Sequence, residues 1–317
     1  MDTEKISYII PCYRSEKTIG SVVGEILSTM ENMGQNNFEI VLVCDGSPDN
    51  TAGVIRDLAA KHEQVKGVNL AKNFGQHAAI MAGINYASGN TFVFLDDDGQ
   101  NPPGEVKKLL DALGDDCDIV LAGSPAKKQA IWRNLGSAIN GFMAKVLVGK
   151  PSDLEFSSYW ACKRFVAEEI RKYDGPYPYI GGLLLRTTNK LKNVPIEHRE
   201  REIGTSGYTM RKLLSLWLNG FTAFSVKPLR IATLLGLLTA TSGFIYGIYI
   251  VFRRLILEPH MAMGWSSIMA TMLFIGGMIM LMLGLIGEYI GRTYIYANKS
   301  PQFVVRERIG FDNDQKS

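Results

Sequence analysis

Two stretches near the C-terminus constrain this chain more than anything else in it. Residues Ile231–Phe252 and Ser266–Gly287 each run for 22 residues without a charged side chain. A helix of that length rises about 33 Å, enough to cross a hydrocarbon core of about 30 Å. Small residues (Gly236, Gly243, Gly247; Gly276, Gly277, Gly284) punctuate both runs and suit close helix contact. Arg253–Trp265 joins them, so the pair reads as a transmembrane hairpin of about 231–252 and 266–287. Two crossings return the C-terminus to the side on which the chain began. Lys227 and Arg230 precede the first run, and Arg292, Lys299, Arg306 and Arg308 follow the second. That bias places both ends in the cytosol, with Arg253 and Arg254 in the short loop counting weakly against it. The expectation is a multi-pass protein of the inner (cytoplasmic) membrane with its soluble part in the cytosol. A buried helix pair in a soluble protein is the alternative, and the lengths disfavour it.

The overall composition, 46% apolar and 21% charged in 317 residues, hides this split. Up to about residue 229 the chain alternates two periodicities. Short apolar runs at Ile6–Ile10, Glu39–Val43, Lys66–Leu70, Thr91–Leu95 and Asp118–Ala122 read as strands. Between them, Glu16–Met30, Thr51–Lys61, Gln76–Ala87 and the stretch from Pro102 to Leu113 read as helices. Such alternation predicts an α/β, doubly wound, mostly parallel sheet, with its ligand at the carboxyl ends of the strands. The polar clusters Pro11–Glu16, Asp45–Asn50, Lys72–Gln76 and Asp96–Asn101 fall at those ends. Lys127–Val148 and Tyr208–Leu218 have amphipathic helical spacing, the second suited to lie on a membrane surface. The expected division is a soluble domain over 1–229, two spans within 230–292, and a cytosolic tail over 293–317.

Several classes are excluded. The N-terminus is acidic with a short apolar run, unlike a signal peptide. Cys12, Cys44, Cys117 and Cys162 form no C-x-x-C pair, so they read as core residues in a reducing compartment. A net charge of +3 without RNP, helix-turn-helix or finger spacing gives no sign of nucleic-acid binding. No G-x-G-x-x-G follows the first strand, which argues against a dinucleotide enzyme. The strongest local signal is TFVFLDDDGQNPP, Thr91–Pro103. Asp96 and Asp98 are two apart, so an extended segment aims both the same way. With Gln100 they offer hard oxygen ligands to a divalent ion that also holds a diphosphate.

Six segments in order carry a family resemblance: IIPCYRSEKTI, VLVCDGSPDNT, NLAKNFGQHAAIMAGINYASGN, LDDDGQNPP, HREREIGTSGY and FSVKPLRI followed by two spans. Together they resemble glycosyltransferase family 2, with its GT-A fold. More narrowly they resemble the polyprenyl-phosphate glycosyltransferases, a group that includes dolichol-phosphate mannose synthase and bacterial undecaprenyl-phosphate enzymes. The resemblance implies inverting transfer of a sugar from a nucleotide donor, by family habit a UDP-sugar, to a polyprenyl phosphate at the cytosolic face. It implies a nucleotide-sugar pocket of Pro11, Tyr13, Glu16, Asp45, Lys72, Asp96 and Asp97, with Asp45 on the base or ribose. Mg²⁺ or Mn²⁺ would be held by Asp98, Gln100 and Asp96. The lipid phosphate would meet Arg199, Arg201, Ser206, Tyr208 and Arg211. The reacting groups would be Asp96, Asp98, Arg201 and Asp153. The resemblance also allows a homo-oligomer, though no interface can be read from the sequence.

The sequence departs from the family pattern at several positions. The usual P-x-Y-N-E-E becomes Pro11-Cys12-Tyr13-Arg14-Ser15-Glu16, so an arginine replaces asparagine and a serine replaces an acid. The acid common before the next motif is Ser158, with Asp153 or Glu155 as the nearby carboxylates. An ionised lipid phosphate is already a nucleophile at neutral pH, so a missing base matters little. Two other readings stay open at this stage. One is a transferase that elongates a glycan directly, but Gln129-Ala130-Ile131-Trp132-Arg133 inverts the last two residues of the Q-x-x-R-W motif expected of it. The other is a non-catalytic nucleotide-binding membrane scaffold, which the retained Asp96, Asp98 and Gln100 argue against.

Overall fold

The first two strands are apolar almost without interruption, and the physical reason is burial on both faces. In β1 (Ile6–Cys12), Tyr8, Ile9 and Ile10 are fully buried, and in β2 (Phe38–Cys44), Ile40 to Val43 are as well. The computed structural model of the chain describes residues 4–123, 154–197, 199, 227–252, 256 and 264–311. The remaining strands are β3 (Val65–Leu70), β4 (Thr91–Phe94), β5 (Ile119–Gly123), β6 (Trp160–Lys163), β7 (Leu191–Pro195) and β8 (Val305–Ile309). They form one eight-stranded sheet in the order β7-β5-β6-β4-β1-β2-β3-β8. Strands β4, β1, β2 and β3 are mutually parallel, and β5 is parallel to β7. Strand β6 runs antiparallel between β4 and β5, and β8 antiparallel to β3. The mixed sheet is the doubly wound arrangement expected from the sequence.

Helices cover both faces. Helix α1 (Ile19–Asn32) buries Ile19, Val22, Val23, Ile26 and Met30, the i, i+3, i+4, i+7 stripe of an amphipathic helix. Helices α2 (Thr51–Lys61), α3 (Gln76–Tyr86), α4 (Val106–Ala112), α5 (Arg164–Arg171) and α6 (Ile180–Thr187) complete the layers. Helix α3 is different in kind: Ala78 through Ile84 are all buried, because small side chains let its axis come close to the sheet. At Gly83 an added Cβ would lie 2.3 Å from Ile9 Cγ2 and 3.3 Å from Val43 Cγ2. Ile9 is β-branched and cannot turn aside cheaply. Gly83→Val is therefore expected to lower stability by about 3 kcal/mol, read as a reduced denaturation midpoint; an unchanged midpoint would show that α3 can lift off the sheet.

Polar residues knot the amino ends of the strands, opposite the expected ligand side. Glu39 is buried, yet its carboxylate accepts from Ser7 Oγ (2.7 Å), the Ser88 amide (2.6 Å), and the ammonium groups of Lys5 and Lys66 (2.9 Å each). Just before β5, Asp118 similarly holds Lys163 Nζ (2.9 Å) and Thr188 Oγ1 (2.9 Å).

The C-terminal residues depart from expectation. The segment read as a tail over 293–317 contains β8, which closes the β3 edge of the sheet. Arg56 of α2 grips Glu307 with two bonds (Nε–Oε1 3.0 Å, Nη2–Oε2 2.6 Å), and Arg306 Nη2 donates to the Ala71 carbonyl at 3.0 Å. Accordingly the chain forms two units, Met1–Thr209 with Lys299–Ser317, and Met210–Asn298. The second contains α7 (Lys227–Phe252) and α8 (Trp265–Ala297), both long and apolar enough to cross a membrane. Helix α8 runs ten residues past Gly287, where the sequence reading ended the second span. The amphipathic stretches Lys127–Val148 and Tyr208–Leu218 lie outside the described residues. All four cysteines are free and buried, as core residues should be.

Candidate active site

The pairing of β1 with β4 stops at their carboxyl ends, at Ile9 and Phe94. The carbonyls of Lys5 and Ile9 accept from Asn90 and Leu95 on the β4 side, whereas that of Cys12 accepts from Asp45 on the β2 side. Alternate residues thus face alternate neighbours, and position 11 faces β4. Pro11 stands there, past the last β1–β4 pair at Ile9 and Phe94. With no N–H it leaves no orphan donor where the strands diverge. Chain order reverses here, with β2 and β3 on one side of β1 and β4 on the other. Such a switch point is where open α/β sheets bind ligands.

Loops at this end are tied together by carboxylates. Asp45 follows β2, is 3% exposed, and accepts the amides of Phe74 (2.7 Å) and Gly75 (2.9 Å). Burial pushes its carboxyl above the usual range, and the two amides pull it part of the way back. Gly46 next to it has φ +57, and a Cβ there would sit 2.3 Å from the Lys72 carbonyl carbon. Only glycine fits both constraints. Asp49 binds the hydroxyls of Ser47 (2.5 Å) and Thr51 (2.6 Å) and the amides of Thr51 and Glu16. Burial opposes ionisation there, but these donors hold the Asp49 carboxyl below its usual range.

The three consecutive acids separate as a strand end requires. Asp97 turns to β1, accepting the Tyr13 amide at 3.0 Å and the Ser15 hydroxyl. Desolvation raises its carboxyl in spite of those donors. Asp96 accepts from Gln76 Nε2 at 2.7 Å. Asp98 caps its own turn, taking the Gln100 amide at 3.1 Å. Asn101, buried beside them, donates to Ser158 Oγ at 3.3 Å. The position of the missing family acid is thereby held against the acidic turn.

The structure accordingly gathers Pro11, Tyr13, Asp45, Asp96, Asp97, Asp98 and Gln100 at the carboxyl ends of β1, β2 and β4. Tyr13 is 45% exposed. Glu16 is on the rim, its carboxylate accepting the Asn50 amide at 3.0 Å. Lys72 lies over the Phe74 ring, 5.1 Å from its centroid. Arg199 donates its amide to the Gln100 carbonyl (2.9 Å), but its guanidinium engages both oxygens of Glu25 on α1 (2.9 Å each). Asp153, Arg201, Ser206, Tyr208 and Arg211 lie outside the described residues. Sequence reasoning missed Ser15, Ser47, Asp49 and Gln76. The S-P-D-N-T run at a turn was a signal for Asp49; nothing local pointed to Gln76.

The match to known proteins extends over both units. Residues 7–171 fit the model for glycosyl transferase family 2, and residues 227–293 that for the GtrB C-terminal hairpin. The undecaprenyl-phosphate 4-deoxy-4-formamido-L-arabinose transferase of Serratia proteamaculans (strain 568) is 31% identical over 310 residues, 97% of this chain and 94% of that one. The enzyme of the same name from Yersinia enterocolitica is 30% identical over 317 residues, 99% and 96% of the two chains. An uncharacterised glycosyltransferase of Bacillus subtilis (strain 168) is 29% identical over 308 residues, 97% and 95%. Among solved structures, the glucosyl-3-phosphoglycerate synthase of Mycobacterium tuberculosis, in complex with Mn²⁺, UDP and phosphoglyceric acid, superposes with a TM-score of 0.51. It does so at 19% identity, over 74% of this chain and 78% of that one, which speaks for the fold alone. With the polar strand ends in their expected place and the match spanning more than half its length, the chain belongs to glycosyl transferase family 2.

Proposed function

We propose that this protein transfers a sugar from a nucleotide donor, a UDP-sugar, to an undecaprenyl-type polyprenyl phosphate at the cytosolic membrane face. The observation that carries the reading is the extent of the match. Relatives named as undecaprenyl-phosphate sugar transferases align with 97–99% of this chain, strand-end loops and apolar helices included. In the reaction a phosphate oxygen of the lipid attacks C1 of the sugar, the bond from C1 to the diphosphate breaks, and the configuration inverts. The nucleoside diphosphate leaves with the electron pair. The attacking phosphate is ionised at neutral pH, so no side chain has to remove a proton. That fits a serine at position 158.

Asp96, Asp98 and Gln100 offer only hard oxygen donors, from one short turn. Among the described residues no three His, Cys, Asp or Glu side chains converge into a complete metal site. Such a partial set would hold Mg²⁺ or Mn²⁺ that arrives with the donor and leave positions for its diphosphate oxygens. When bound, the ion stabilises negative charge on the departing diphosphate. Asp45 and Tyr13 are proposed to hold the nucleoside, and Arg201, Ser206, Tyr208 and Arg211 the lipid phosphate. Because β8 follows the two apolar helices and lies in the same sheet as β1, an even number of crossings is required, which supports a two-span hairpin.

The test is a lipid-product assay on the full chain in detergent, with undecaprenyl phosphate and a panel of labelled UDP-sugars. One donor is expected to give an organic-phase product that EDTA abolishes. A sugar polymer formed without the lipid acceptor would overturn the reading.

A further inference from the structure

We infer that Arg14 is a donor-recognition residue whose guanidinium binds phosphate oxygens of the nucleoside diphosphate. The inference rests on the proposed nucleotide-sugar reading and concerns the position where asparagine is usual. Arg14 has φ +60; among the described residues only Lys299 shares a positive φ without being glycine. The left-handed region suits glycine and asparagine and penalises other side chains. Its neighbourhood enforces that conformation. The Arg14 amide donates to Ser47 Oγ at 2.8 Å, the Tyr13 amide to Asp97 at 3.0 Å, and the Ser15 amide to Thr51 Oγ1 at 2.9 Å. Three successive amides are pinned, so the side chain between them is aimed. Strain of this kind persists where a function requires the residue.

The guanidinium lies over the exposed Tyr13 ring, 5.6 Å from its centroid. The acids of the neighbouring loops have donors of their own: Asp97 has Tyr13 and Ser15, Asp49 has Ser47 and Thr51, and Glu16 has the Asn50 amide. Among the described residues Arg14 has no carboxylate partner. A forked cation with its N–H groups open, stacked beside the nucleoside position, suits an anion with several oxygens. The charge count points the same way. A divalent ion held by Asp96 and Asp98 would be neutralised by them, which would leave the diphosphate in need of another cation.

The test compares Arg14→Asn and Arg14→Lys with the wild type, as full-length protein in detergent with Mn²⁺. Titration calorimetry reads binding of UDP and of uridine, and a thermal melt reads stability. Asparagine tolerates the left-handed backbone, so the first variant should melt at or above the wild-type temperature. Its Kd for UDP should rise roughly tenfold or more, with uridine binding unchanged, and Arg14→Lys should fall between. Unchanged UDP binding, or an equal loss for uridine, would overturn the inference while leaving the proposed function standing. A wild-type protein that binds no nucleoside diphosphate would overturn both.

Discussion

Asp98→Asn is expected to cut sugar transfer by about a thousandfold while moving the melting temperature by no more than ~2 °C. The asymmetry follows from where the side chain sits. Asp98 is partly exposed in a turn and accepts the Gln100 amide, a contact that an asparagine oxygen can keep. What asparagine cannot keep is the negative charge that would hold a divalent ion against the donor's diphosphate. The loss should appear in turnover at saturating lipid, and added Mn²⁺ should restore part of it. Paired product and melting measurements check this. Wild-type turnover in the variant would remove Asp98 from the proposed metal set and shift attention to Asp96.

A comparably large effect, on stability alone, is expected at the opposite end of the sheet. Burial by itself would raise the Glu39 carboxyl, but the Ser7 hydroxyl, the Ser88 amide and the two lysines hold it at about 2 instead of 4.5. Folding thus favours the ionised form. The sign follows: the contribution is complete above about pH 4.5, the unfolded value, and is lost as pH falls toward 2. Its size is about 3 kcal/mol, at ~1.4 kcal/mol per pH unit. Glu39→Gln leaves two ammonium groups facing an uncharged amide and should cost a similar amount at pH 7. For a unit of this size that is a fall of roughly 6–12 °C in melting temperature. The gap between variant and wild type should close as pH drops below 4. Equal spacing of the two melting curves from pH 7 to 3 would show that the buried charge contributes nothing.

What the sequence made legible was whatever is local. Strands β1 to β4 and helices α1 to α3 stood out because periodicity and turn residues are read within a dozen positions. Strand β6 is only Trp160–Lys163, passes directly into a helix, and lacks the length that would separate it from a loop. Strand β8 reads Val-Arg-Glu-Arg-Ile, a charged alternation typical of an edge, and its partner β3 is more than 230 residues earlier. The site followed the same division. Asp45 and the three acids were legible as residue types at strand ends. Their partners were not, because Asp45 binds main-chain amides at 74 and 75, and no side-chain pattern records those. Ser15 illustrates the point: read as the loss of an acid, it proves to be the hydroxyl that fastens Asp97 to β1.

Strand β8 at the edge of the sheet is synthesised after both apolar helices. Until residue 309 has left the ribosome, β3 presents an open edge, and Arg56 has no Glu307 to grip. Both apolar helices are made before that edge can close. The soluble unit therefore reaches its finished form only after the hairpin exists, so that maturation of the enzyme is ordered by translation itself. A chain that terminates early, anywhere between 252 and 304, carries intact strand-end motifs beside an unpaired strand, the kind of surface on which aggregation and proteolysis act.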